Sequence, residues 1–583
     1  MSEVHPALIL LAGGLLLFCL PTTLRRVVSV CLPVLGFLNL LTIGDGTLWH
    51  ITWGGYDLTV LRADRLSLLF GYLFHLAAFI GAIYALHLKD RLQIGTGLVY
   101  AGSAVGAVFA GDLITLFIFW ELLAITSVFL VWARGGERAL RSGMRYLVMH
   151  ISSGLLLLLG AVFYYLNTKS LAFDHIGLNE GHHYLIFFAF GIKCAFPLLH
   201  NWLIDAYPES TPVGTVFLSA FTTKAAVYAL ARGFAGEDLL IYIGAIMTIF
   251  PIFYAAIEND MRRVLSYSMI NQIGFMVAGI GIGGALGING AVSHAFNDVL
   301  FKGLLFMSMG AVLFSSGRIN ASDLGGLYKS MPWTCACCII GAASISAIPL
   351  FNAFISKSMV MQGVADSGAV TIWLVLLFAS AGVLHHAGVK IPFFSFFAHD
   401  AGIRCSEAPL NMRVAMTISA ILCVVIGSYP PLLYNLLPHP VDYVPYTTTH
   451  VVLQLQLVFF AVLAFAVLML TSEIDASLET QKKHGIVGIL ILIGKHPPEL
   501  PGVNLDFDWI YRRALPRGIR AIVRTGGLVV DRFFVGAKAV VRKIIAAIRA
   551  QHNNRGLFGR SWLSQSNVLI AIIFLAIYLI YYF

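Results

Sequence analysis

Gly191-Ile-Lys193-Cys-Ala-Phe-Pro197-Leu-Leu-His200-Asn-Trp202-Leu-Ile-Asp205-Ala-Tyr-Pro208-Glu209-Ser-Thr-Pro212 places a lysine in an apolar run and a proline four residues after it. Proline lacks an N–H and its ring strikes the carbonyl one turn back, so a helix through this stretch must break near Pro197 and free backbone carbonyls. Inside a bilayer such carbonyls need partners, and an ammonium or a water can supply them. Interrupted helices of this kind mark transport sites in membranes. A second stretch, Ser346-Ala-Ile-Pro349-Leu-Phe-Asn-Ala-Phe-Ile-Ser-Lys357, supplies another proline-interrupted segment that carries a lysine.

The rest of the chain shows why a bilayer is the relevant solvent. Of its 583 residues, 58% are hydrophobic and 11% charged, with a mean hydropathy of +0.84, well outside the range of soluble globular proteins. Apolar runs near 7–20, 27–43, 66–86, 95–111, 112–133, 143–165, 184–203, 211–234, 239–257, 264–284, 287–315, 333–365, 370–394, 412–434, 451–471 and 563–583 predict an all-α polytopic membrane protein of about 15–16 transmembrane helices. The first run has no basic flank, which predicts a membrane helix rather than a cleaved signal. Basic residues cluster at Arg25-Arg26, Lys89 and Arg91, Arg134 to Arg145, Arg262-Arg263, Arg318 and Lys329, and Lys482-Lys483. These groups are separated by even numbers of crossings. The positive-inside rule puts them all in the cytoplasm, with both termini outside, in a bacterial-type inner membrane. Loop 435–450, assigned outside, has no Lys or Arg, and the run 484–494 is too short to span. Topology thus accounts for the net charge of +9 without nucleic acid.

Residues 505–556 read as an amphipathic helix interrupted around Gly526-Gly527. Arg517, Arg520 and Arg524 oppose Ile519, Ile522 and Val523, and then Lys538, Arg542 and Arg549 oppose Val540, Val541, Ile544, Ile545 and Ile548. Such a helix either lies along the cytoplasmic membrane face clasping a neighbouring subunit or is a plain interfacial anchor on anionic lipid. The Cys335, Cys337 and Cys338 group falls in a hydrophobic run and reads as small packing residues. His385-His386 has no further ligand type nearby in sequence, so neither a metal site nor a cofactor is expected.

Glu121, Lys193, Lys224, Lys302 and Lys357 all lie within apolar runs. At roughly 2.5–3.5 kcal/mol each, five unpaired charges would cost on the order of 12–17 kcal/mol. The environment must therefore pair them, hydrate them or pass protons among them. Lys224 sits in Ala220-Phe-Thr-Thr-Lys224-Ala-Ala-Val-Tyr228, followed by Asp260-Met-Arg262-Arg263-Val-Leu-Ser-Tyr267-Ser-Met-Ile-Asn-Gln272-Ile-Gly274. In Ser293-His294-Ala-Phe-Asn-Asp298-Val-Leu-Phe-Lys302, the spacing of four puts His294, Asp298 and Lys302 on one helical face over about 12 Å. A structural ion pair between Glu121 and Lys193 would also explain those two. Lys390, one turn from a span end and just before Pro392, can snorkel, so it and His385 and His386 are weaker candidates.

From Ala63-Asp-Arg-Leu-Ser-Leu-Leu-Phe70 to Glu407-Ala-Pro409, and most specifically at 193–232, 260–274 and 294–306, the sequence resembles one membrane family. It comprises the antiporter-like subunits of respiratory complex I, of membrane hydrogenases and of multisubunit Mrp-type cation/proton antiporters, D-type Mrp members included. The resemblance implies two inverted five-helix repeats, each with a broken helix, around a hydrated axis. It implies Glu121 as the acid paired with Lys193, Lys224 as the connecting lysine, Lys302 continuing the axis, and Lys357 as the terminal lysine. Asp298 stands where many members have a histidine, and Gln272 where some do. An acid there could trap Lys302 in a salt bridge or serve as a relay. The tail, from Asp506-Phe-Asp508-Trp-Ile-Tyr511-Arg onward, resembles the lateral helix of the largest complex I antiporter-like subunit, which favours clasping a neighbour.

The resulting expectation has N-terminal helices in 1–94, repeats in 95–234 and 235–395, further helices and a linker in 396–500, and a lateral helix and last span in 501–583. The function expected is proton translocation in a multisubunit complex. A monovalent cation/proton antiporter is the preferred reading, and the pumping module of a redox enzyme the alternative. No dinucleotide fingerprint or cluster-binding cysteine set gives the chain redox chemistry of its own. Protons, Na+ or K+ in the antiporter reading, other membrane subunits and lipid are the expected partners.

Overall fold

The computed structural model describes residues 4–484, 509, 513–551 and 564–582. The chain forms two compact units, Met1–Asn504 and Leu505–Phe583. The predicted membrane runs fall on helices, with 184–203, 211–234 and 333–365 each divided between two. Among the described residues twelve helices are long and apolar enough to cross a membrane, and Pro6–Leu16, His183–Lys193, Pro332–Ile345 and Ser566–Tyr582 are shorter apolar helices.

In the first unit α1 (Pro6–Leu16) and α2 (Thr22–Leu40) precede a hairpin of β1 (Leu48–Trp53) and β2 (Tyr56–Arg62). The sequence reading did not anticipate this hairpin, the one sheet among the described residues of an otherwise helical protein. Gly54 and Gly55, at φ 60° and 86°, supply the two left-handed residues a tight hairpin turn requires. Then come α3 (Arg65–Ala85), α4 (Arg91–Phe109), α5 (Leu113–Trp132), α6 (Gly136–Thr168), α7 (His183–Lys193), α8 (Asn201–Glu209), α9 (Pro212–Ala220) and α10 (Thr222–Gly233). They are followed by α11 (Asp238–Ile257), α12 (Met261–Ile282), α13 (Gly284–Ser316), α14 (Pro332–Ile345), α15 (Asn352–Asp366) and α16 (Val370–Val383). Wide, π-type turns continue α16 through Phe397, and helices Leu410–Ser428 and Thr448–His484 complete the unit.

Local details reveal an internal repeat. Asp112 caps α5 by accepting from the Ile114 and Thr115 N–H groups and pairs as a short bridge with Ala172 beyond α6. Asp260 caps α12 from Arg262 and Arg263 and bridges Asn320 beyond α13. Both α6 and α13 run 33 residues and end on a left-handed residue, Lys169 or Gly317. Both breaks read Ala-x-Pro-Leu, with the alanine and leucine at positive φ: Ala195 (61°) and Leu198 (70°), then Ala347 (54°) and Leu350 (77°). Such φ values cost a non-glycine residue about 1–2 kcal/mol each, so the surrounding packing must enforce them.

The repeats are inverted. Just past the end of α5, Arg134 donates to the Pro208 carbonyl (2.5 Å), and Arg262 in the first turn of α12 donates to the same carbonyl (3.0 Å). The second helix of one repeat therefore ends where its counterpart begins. Arg25 also donates to the Lys89 carbonyl (2.8 Å), so those two basic loops share a side. Arg262 itself corrects its reading as a loop charge. It is buried and donates to the Tyr207, Pro208, Ser210 and Thr211 carbonyls and to the Ser210 and Thr215 hydroxyls, closing the end of α8.

In the second unit, Leu515–Gln551 is one uninterrupted helix, so the expected break at Gly526-Gly527 does not occur. Its apolar face, including Ile519, Ile522, Val540 and Ile544, is exposed within that unit. Helix Ser564–Tyr582 follows. Residues 485–494 of the short apolar run, and Asp506, Asp508 and Tyr511, lie outside the described residues.

Candidate functional site

The break at Pro197 leaves Lys193 as the last residue of α7, fully buried. Its ammonium donates to the Trp120 carbonyl at 2.5 Å and lies 4.5 Å from the centre of the Trp120 ring. That ring is fixed through its indole N–H to Ser153 (2.9 Å), whose hydroxyl donates to the Ala189 carbonyl of α7 (2.6 Å). Trp202 of α8 donates to the Ile192 carbonyl (2.9 Å), so a side chain from the second half-helix satisfies a carbonyl freed by the break. Glu121 is adjacent in sequence to the carbonyl that Lys193 uses, but among the described residues the two charged groups form no contact within 4 Å. The Glu121 carboxylate instead lies against Gly154 of α6, in space a Cβ there would occupy, and its Oε1 has no hydrogen-bond partner.

Lys224 lies in the first turn of α10, after the helix bends at Phe221. Its ammonium reaches back to the Ser219 carbonyl (3.3 Å) and lies 2.5 Å from Asp298 Oδ2, close enough for an ion pair though not aligned as a hydrogen bond. Asp298 therefore does not trap Lys302, which donates to Ser268 of α12 (2.8 Å). The three residues expected on one face of α13 are all buried, and each meets a different neighbour.

His294 contacts Ser356 through Nδ1 (3.0 Å) and the Gln272 side-chain oxygen through Nε2 (3.1 Å). Gln272 donates onward to Asn271 (2.7 Å), and Asn271 to the Thr248 carbonyl. Because Gln272 presents its oxygen, Nε2 carries the proton and Nδ1 is free to accept from Ser356, an assignment inferred from the network. Lys357, on α15, donates to the Ile345 carbonyl (3.4 Å) at the end of α14 and to Ser380 (3.5 Å), with the Phe275 ring centre at 4.8 Å. Here an ammonium solvates a carbonyl freed by the broken helix, as the Pro349 break leads one to expect. Lys357 approaches from the half-helix after its break, whereas Lys193 ends the half-helix before its own.

Lys390 is buried rather than snorkelling. It donates to the Ala255, Ala256 and Glu258 carbonyls, closing the C-terminal end of α11, a favourable place for a cation. His385 packs edge-on against Phe465, and His386 is buried beside it. Sequence reading passed over His150. It is buried on α6, tilted against Tyr146 (ring centres 4.1 Å apart) and edge-on to Trp202 (4.4 Å), with neither ring nitrogen hydrogen-bonded. A lone histidine in the run 143–165 was the available signal.

Two inverted repeats, each with a broken helix, set a line of buried lysines within a polytopic membrane protein. Residues 110–383 match the family described as NADH:quinone oxidoreductase/Mrp antiporter, transmembrane region. It is 29% identical over 423 residues to hydrogenase-4 component B of Escherichia coli, covering 64% of this chain and 62% of that one. It is 26% identical over 470 residues to Na(+)/H(+) antiporter subunit A1 of Staphylococcus aureus, covering 70% and 58%. The chain thus spans under two thirds of the length of either relative. A chain of the Mrp complex from a Dietzia species shares the fold, with a TM-score of 0.67 at 20% identity over 74% of this chain and 95% of that one.

Proposed function

We propose that the chain is the proton-translocating subunit of a multisubunit membrane complex, a monovalent cation/proton antiporter of the Mrp type. The observation that carries this reading is the series of buried lysines: Lys193, beside a carbonyl and an indole, Lys302, on Ser268, and Lys357, on a carbonyl and Ser380, have neutral partners, while Lys224 is paired with Asp298. An ammonium fixed by several charged acceptors would be inert, whereas one with a single neutral acceptor can give up and regain its proton as a nearby charge moves. In this reading Glu121 is the moving charge for Lys193. Its carboxylate has an unpaired oxygen and lies one residue from the lysine's acceptor. Lys224 and Asp298 then join the two repeats, and His294, Lys302 and Lys357 continue the path, with Na+ or K+ as the exchanged ion. The complex would sit in an inner membrane with both termini outside.

The alternative, a pumping module driven by redox partners, draws support from the similarity to hydrogenase-4 component B and from the long amphipathic helix Leu515–Gln551, suited to clasping a neighbouring subunit. Membrane vesicles carrying Lys193→Ala or Glu121→Ala at unchanged expression should form little or no pH gradient. Full activity in either variant would refute proton transfer through this site. Purifying the native complex separates the two readings: small antiporter subunits support the first, and peripheral iron–sulfur subunits the second.

A further inference from the structure

The loop joining α6 to α7 reads Asp174-His175-Ile-Gly-Leu-Asn179-Glu180-Gly-His182-His183. Glu180, His182 and His183 each bring one potential ligand atom to within 4.8 Å of the others. Two imidazoles and one carboxylate suit a borderline divalent transition ion, whereas Ca2+ and Mg2+ favour oxygen-only shells. Closing these three onto an ion with bonds of about 2.0–2.2 Å asks for side-chain shifts of about an ångström.

A second observation points the same way. His183 is buried, and its Nδ1 lies 3.0 Å from the Gly177 carbonyl. Only the protonated Nδ1 can bond to a carbonyl, so this contact leaves the Nε2 lone pair available and fixes the ring. Metal-binding histidines are commonly held in this way by an outer partner. The His182 and His183 ring centres are 4.5 Å apart, and His182 Nδ1 is 3.2 Å from Glu180 Oε2, with Asn167 also beside it. Glu180 has 56% of its side chain exposed, so an ion can reach the anchored histidines from solvent. Sequence reading weighed His385-His386 as the histidine pair and did not consider this one.

We propose that Glu180, His182 and His183 form a binding site for a divalent transition ion of the Zn2+ class. His183 is the first residue of α7 and Lys193 the last, so a bound ion would tie the loop to the half-helix that carries that lysine. The site does not depend on the proton-translocation reading, because ion binding is measured without transport.

The test is calorimetric titration of the full-length chain in detergent with Zn2+. Since the chain has 18 histidines and 8 cysteines, Glu180→Gln/His182→Asn defines the background. The expected result is one equivalent bound by the wild type, with at least a tenfold loss of affinity in Glu180→Gln and in His182→Asn, neither of which removes the His183 contact with Gly177. Equal affinity in wild type and double variant would overturn the proposal, as would displacement of the ion by a modest excess of Mg2+ or Ca2+.

Discussion

The Lys224 ammonium lies 2.5 Å from Asp298 Oδ2 with both side chains fully buried, so an ion pair spans the junction between the two inverted repeats. Asp298 is four residues before Lys302 on the same helix, yet its carboxylate serves a lysine of the other repeat and leaves Lys302 to a serine hydroxyl.

Asp298→Asn should therefore leave a buried ammonium without its counter-charge. Removing one partner of a buried pair typically costs about 3–5 kcal/mol. Replacing both, as in Lys224→Met/Asp298→Asn, should cost less than either single change. Thermal unfolding in detergent across this double-mutant cycle measures the coupling, and additive losses would show that the pair does not act as a unit. Transport should fall in all three variants.

Gly154 sets the position of Glu121. A Cβ at 154 would overlap the carboxylate oxygen, the far end of a flexible side chain, so Gly154→Ala should fold normally while displacing the carboxylate. Transport is expected to drop by about tenfold or more, given the sensitivity of proton transfer to placement of about 1 Å. Adding Glu121→Asp, one methylene shorter, should recover part of it. An unaffected Gly154→Ala would mean the resting position of Glu121 does not matter.

The helices, the two breaks and the buried lysines were legible because each has a local cause: apolar length, Pro197 and Pro349, and a charge inside an apolar run. The hairpin was not, although Gly54-Gly55 between alternating residues carried its signal. Partner choice was least legible. Nothing in the spacing of Asp298 and Lys302 says that the carboxylate turns to α10, because that depends on how two distant helices cross. Nor does the adjacency of basic residues distinguish Arg262, which plugs the end of α8, from Arg263, half-buried near Glu258 at 3.9 Å. Helix-end carbonyls that need a donor exist only once the fold is formed.

Asp64 should make stability depend on pH. It caps α3 by accepting from the Ser67 N–H (2.9 Å) and holds Arg232 through both oxygens (2.8 and 2.7 Å), with Arg62 at 3.7 Å. Burial pushes its carboxyl up, but Arg232, Ser67 and Arg62 outweigh burial and hold it below the usual carboxylate value. A carboxyl lowered in the folded state contributes stability above its unfolded value of about 4, and that contribution is lost as pH falls through the folded value. Asp64→Asn should thus melt earlier at pH 7 by about 1 kcal/mol, a modest figure because a third of the side chain faces solvent. The gap should close as pH falls below about 4. A gap independent of pH would show that the carboxylate's charge contributes nothing.

Arg262 offers the sharpest structural contrast. Its guanidinium lies among four carbonyls and two hydroxyls around the end of α8, which share its Nη1 and Nη2 hydrogens, all away from solvent. A lysine carries three donors on a point charge and cannot reproduce that fork. Arg262→Lys should therefore destabilise by about 2–4 kcal/mol, since each buried acceptor left unpaired costs about 1–3 kcal/mol and a lysine still reaches some of them. Arg263→Lys, at a half-buried site with one loose ion pair, should stay within about 0.5 kcal/mol of wild type. Melting temperatures of the two variants in one detergent check this directly. Similar values for both would mean that the carbonyls at the end of α8 find other donors, and that Arg262 is no more than the loop charge its neighbour is.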